Sequence, residues 1–122
     1  MEELDAELER CRPWIEAALD RGGNTHEFED IVYAVKTGAM QFWPADDACA
    51  ITEIIVYPRK RAFHVFLAGG NMDTIVDMDE SAVYYAKVNG CTIMSIAGRK
   101  GWQRVLSDKG YKNTLTVLMK EF

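Results

Sequence analysis

An apolar run stops at two glycines in Val65-Phe66-Leu67-Ala68-Gly69-Gly70-Asn71-Met72, and an amphipathic stretch begins at once. A strand that feeds a glycine-rich turn into a helix can hold a phosphate. Glycine lets the backbone come close to the anion, and the first turn of the helix offers unpaired N–H groups. The competing reading is a tight strand-to-helix turn with no ligand. Positive charge is the second chemically suggestive feature. Five basic residues and one acid, Asp108, lie between Arg99 and Lys112. Such a segment suits either an anion or plain solvation. Metal chemistry is not expected. Cys11, Cys49 and Cys91 are far apart with no C-x-x-C pair, and His26 and His64 have no H-x-x-x-H partner.

The remaining composition narrows the classes. At 122 residues the chain fits one domain, and 48% apolar with 27% charged residues is ordinary for a globular protein. The net charge of −5 is unevenly spread. Residues 1–30 carry ten Asp/Glu against three Lys/Arg, and the rest of the chain nine against eleven. A net acidic chain argues against nucleic acid as a partner. No apolar run approaches the roughly 20 residues that span a bilayer. The acidic, polar start MEELDAELER is unlike a targeting peptide, so a soluble protein of the cytoplasm is the expectation.

The elements that must position these residues follow from periodicity. Leu4, Leu8, Cys11, Ile15 and Leu19 predict a helix over residues 2–20, with a kink or break at Pro13 and a glycine stop at Gly22-Gly23. A second helix starts from Thr25 as N-cap, with Phe28, Ile31, Val32 and Val35 as its apolar face. From Ala39 the period changes to two. Strands are expected at MQFW, at residues 48–58 and at residues 61–68, the last two as a hairpin. A helix over residues 72–88, a strand at 91–98, a short helix at 101–109 and a final strand in YKNTLTVLMKEF complete the order. Strand, helix, strand in residues 65–96 makes a parallel β-α-β step. The division is a helical segment, 1–38, and a sheet core, 39–122.

That order, with antiparallel strands first and a β-α-β-α-β finish, resembles the fold of the GNAT N-acetyltransferases. The segment GRKGWQRVLSDKGYK, with Gly110-Tyr111 closing a short helix, is similar to the family's late strand-helix-strand unit. The pairing of LAGGN with a downstream GRKGW is also similar to small GNAT-like proteins of tailed phages, some of them virion-associated. The implied fold class is α/β: a single GNAT-like domain with a mixed, mostly antiparallel sheet, a parallel β-α-β step and two N-terminal helices. The sheet would splay at that step into a V-shaped opening.

The resemblance implies two functions. If the family's chemistry is kept, acetyl-CoA is the cofactor. Gly69, Gly70, Asn71 and Met72 would then supply phosphate-binding amides, and Arg99, Lys100 and Arg104 charge. Glu53 is the one acid on a matching strand for a general base, and His64 on the next strand could face it. Against this, the loop lacks the family's Q/R-x-x-G-x-G/A spacing, and Asp73 and Asp77 would repel a pyrophosphate. Leu106 occupies the position of the family's acid Tyr. The favoured expectation is therefore a degenerate GNAT-like phage protein without cofactor. It would act by binding protein, such as other phage structural proteins, in the host cytoplasm or within a virion. Its cleft would be filled by side chains such as Met72, Met94 or Trp102.

Overall fold

The computed structural model describes residues 2–98 and 101–122. The first helix, α1 (Glu2–Arg21), runs unbroken through Pro13, where a kink or break was expected. Pro13 is on the solvent face, so the backbone carbonyl it leaves without an N–H partner can bond to water. The opposite stripe of α1, Leu8, Cys11, Ile15 and Leu19, is buried. A second helix, α2 (Phe28–Thr37), begins three residues after Thr25. Thr25 bonds to its neighbour His26 instead, and Glu27 is the N-cap, its N–H donating to the Asp30 carboxylate over 2.8 Å. Lys36–Asp5 at 2.7 Å and Arg12–Glu29 at 3.7 Å tie the two helices together. The acidic surplus of the N-terminal segment is therefore partly paired internally.

Among the described residues four strands form one sheet in the order β1-β2-β3-β4: β1 (Met40–Pro44), β2 (Ala48–Val56), β3 (Arg61–Gly70) and β4 (Ile93–Ile96). The first three are antiparallel and β4 is parallel to β3. Two helices, α3 (Met72–Asp77) and α4 (Asp79–Val88), connect β3 to β4. They replace the single helix expected over residues 72–88, with the break at Met78. After β4, α5 (Gly101–Leu106) runs into a 3₁₀ turn, Ser107–Lys109. The chain is thus a mixed α/β single domain, with helices on both faces of a sheet that contains one parallel step.

The period-two pattern of residues 111–122 does not become a strand: the whole stretch is irregular. Alternation alone does not make a strand, because the backbone groups also need an edge to pair with. On the α1 face, the helix stripe packs with Phe28, Ile31, Met40, Cys49, Ile51 and Leu67. The other face has a smaller core of Phe63, Ala82, Ala86 and Cys91, flanked by Trp43 and Tyr85. Cys49 and Cys11 contact each other on the α1 side, and burial pushes both thiols up, so both remain neutral.

Candidate functional site

The sheet opens where β3 and β4 part. Their pairing runs from Ala62↔Ile93 to Val65↔Ile96, with one further bond from the Ala97 N–H to the Val65 carbonyl at 3.3 Å. Beyond it β3 continues to Gly70 without β4, paired with β2 only. A bulge sits at the same level: Ile51 pairs with Leu67 but Thr52 with Val65, so Phe66 is the extra residue. Phe66 and Leu67 consequently both pack on the α1 face.

Two recesses meet at this split and share Ala68, Ala97 and Trp102. The one beneath α3, α4 and α5 is narrow, with a cavity volume of about 50 Å³, and is lined mainly by apolar groups. Trp43, Val65, Met78, Met94 and Leu106 are among them. Its polar groups are already engaged. Trp43 Nε1 donates to Thr52 Oγ1 at 2.9 Å, and that hydroxyl donates to Gln41 Oε1 at 2.9 Å. The Tyr111 hydroxyl donates to Asp79 Oδ1 at 2.6 Å. Burial, reinforced by the Asp79 charge, pushes the Tyr111 phenol up, so it stays protonated. The recess beside α1 is more polar, with Arg21, Thr25 and His64 in its wall. Trp102 stands between the two, its indole packed on Gly98. Met94 lines the first recess, whereas Met72 lines neither.

The residues singled out from the sequence are placed as follows. Glu53 and His64 are direct cross-strand partners. A third residue joins them: Ser95 on β4 lies 2.8 Å from His64 Nδ1. Burial lowers the His64 pKa below its ordinary 6.5, with the Glu53 carboxylate opposing. A neutral imidazole beside a carboxylate and a hydroxyl can accept a proton, which is what a general base requires. Ser95 was not legible because a parallel register is not set by a hairpin turn.

The sign of the His64 effect on stability follows from the direction of its shift. The unfolded chain takes up a proton near 6.5 while the folded one resists it, so this contribution is present above that pH and is lost as pH falls below it. The melting temperature should fall on acidification below 6.5, and His64→Gln should flatten that slope. An unchanged slope would mean that His64 is freely solvated.

Gly69, Gly70, Asn71 and Met72 form no open loop. Both glycines belong to β3, paired with Cys49 and Ala48. A Cβ on Gly69 would lie 2.9 Å from the Trp14 Cβ, and one on Gly70 would lie 2.4 Å from the Asp47 carbonyl oxygen. The Asn71 N–H donates to the Asp47 carbonyl at 2.8 Å. The Asn71 side chain accepts from the N–H groups of Asp73 and Thr74, capping α3. Arg104 is exposed and lines neither recess. Arg99 and Lys100 lie outside the described residues. Among the described residues no group of three or more His, Cys, Asp or Glu is placed to hold a metal, and no helix is long and apolar enough to cross a membrane.

No protein-family model matches the chain, and no curated protein matches it. Solved structures do. A tetramutant of BH1408 from Bacillus halodurans is similar with a TM-score of 0.66 at 10% identity, over 96% of this chain and 93% of that one. A single mutant of the same protein gives 0.63 at 10% identity, over 96% and 92%. A single mutant of TTHA1254 from Thermus thermophilus gives 0.59 at 13% identity, over 80% of each chain. At such identities the likeness is one of fold.

Proposed function

We propose that this chain is a degenerate GNAT-like domain that acts by binding protein rather than by transferring an acyl group from coenzyme A. One observation carries the reading. The N–H groups of Asn71, Asp73 and Thr74, which a pyrophosphate would need, are bonded within the protein. The adjacent glycines are explained by close packing. A phosphate would have to displace three internal hydrogen bonds and then sit beside Asp73, the acid in the first turn of α3. The phage setting, with other virion proteins as partners, extends this reading and rests on the sequence resemblance.

Acetyl-CoA-dependent transfer is the second reading. It is favoured by the opening of the sheet between β3 and β4, with the protonated Tyr111 phenol in one recess and the His64–Glu53 pair on the other face. Thermal melting separates the two. A ligand at about a hundred times its dissociation constant adds about 2.7 kcal/mol, a shift of several degrees in a domain of this size. The binding-protein reading expects no shift with millimolar acetyl-CoA or CoA. A reproducible shift with either would overturn it in favour of the transferase.

A further inference from the structure

The segment after Gly110 has the pattern of a strand, and among the described residues it pairs with none. Leu115, Val117 and Met119 alternate with Thr114, Thr116 and Leu118, yet all of residues 112–122 are exposed, Leu118 at 91%. Among the described residues, 112–122 make no backbone–backbone hydrogen bond. Water can satisfy those backbone groups, but it does nothing for a run of aliphatic side chains. A continuous exposed apolar strip of this kind marks an interaction site.

The sheet has the complementary defect. β4 pairs with β3 on one side and has no partner on the other among the described residues. Edge strands are ordinarily guarded against pairing by a charge, a proline or a bulge. The other edge, β1, has two such guards: Pro44 ends it and α2 packs beside it. The β4 sequence, Ile93-Met94-Ser95-Ile96, carries neither a charge nor a proline. An unguarded uncharged edge and an unpaired aliphatic strand in one chain call for each other.

The chain's own path leads the segment away from that edge. Tyr111 is held to Asp79 at the start of α4, and the Met119 side chain reaches Gly23 beyond the end of α1. The segment thus crosses the split end of the sheet. We propose that the occupant of the β4 edge is the same segment of a second copy, residues 113–119, added as a fifth strand. Every copy carries one free edge and one free strand. A two-fold pair that exchanges them therefore satisfies both in each subunit and leaves neither exposed. The exchange buries Leu115, Val117 and Leu118, and it does not depend on whether a CoA thioester binds, so the two tests can fail separately.

Sedimentation of the full chain tests this. The expected particle has twice the 13.8 kDa chain mass, dissociating on dilution. Successive N–H groups of a strand point to opposite edges, so either Thr116 or Val117 donates to β4. Thr116→Pro and Val117→Pro, made separately, alter residues that are exposed and unbonded within their own subunit, so the subunit fold is unaffected. One of the two should weaken the pair by at least about tenfold, because both symmetric strands lose a bond, and the other should be tolerated. Hydrogen exchange on the unaltered protein gives an independent reading: every second amide of residues 115–119 should be slow in the pair and fast after dilution. A monomer at every concentration would overturn the proposal. So would a dimer indifferent to both substitutions, or amide protection that persists on dilution, which would mean pairing within one chain.

Discussion

Gly70→Ala is expected to destabilise the domain by about 3 kcal/mol or more, a large part of the stability of a domain this size. Two costs combine. Gly70 has φ +103°, in the region that a Cβ makes unfavourable by about 1–2 kcal/mol. The added methyl would also stand 2.4 Å from the Asp47 carbonyl oxygen and 2.5 Å from the Ala48 Cα, and both neighbours are backbone. The end of the β2–β3 ladder must move to make room. Gly38→Ala isolates the first cost, since Gly38 has φ +83° and nothing within 4 Å of a built Cβ. It should lose only about 1 kcal/mol. Urea unfolding of both variants measures the difference through the midpoint at unchanged slope. Equal losses would show that the β3 end is loosely packed and would reopen the turn as a ligand site.

The same geometry explains why a glycine pair reads ambiguously in a sequence. Glycine is required wherever backbone must approach something closely, and the sequence does not say whether that is a phosphate or a neighbouring strand. Here it is Trp14 of α1 for Gly69 and the β1–β2 turn for Gly70. The first contact joins residues far apart in the chain, so no local pattern could show it. A substitution such as Gly70→Glu therefore cannot test cofactor binding, because it removes the fold along with any site.

Other parts of the fold were legible because their signals are local. The stripe from Leu8 to Leu19 fixed both the helix and its buried face, and the hairpin brought Glu53 opposite His64, as neighbours across a hairpin can be. What was not legible depends on tertiary partners. Ser95 joins His64 through a parallel register that no turn specifies. The bulge at Phe66 turns two successive side chains to one face, against the period of two. The last segment has a strand's alternation and is irregular because its own path, held by Tyr111 to Asp79 and by Met119 to Gly23, does not bring it to the free edge at β4.

Phe63→Ala should be the most damaging truncation on the α4 face, at about 3–5 kcal/mol. Phe63 is fully buried on the interior strand β3 and is the large side chain in a core otherwise made of Ala82, Ala86 and Cys91. Its ring packs at 5.4 Å from Tyr85 and 6.2 Å from Trp43, while Trp43 and Tyr85 meet edge-on at 5.5 Å. Three aromatic rings from β1, β3 and α4 thus hold that helix to the sheet, and the central one cannot be replaced by its neighbours. The buried residues of that cluster, Ala82, Ala86 and Cys91, have no side-chain length with which to collapse into the void, so part of the cavity should persist. Tyr84→Ala, one residue from Tyr85 but exposed to solvent at 73%, should change stability by less than about 0.5 kcal/mol. Urea midpoints of the two variants make the comparison. A loss below about 1 kcal/mol for Phe63→Ala would mean that α4 is not packed on β3 through this ring. The recess beneath α3, α4 and α5 would then have no fixed wall on the α4 side.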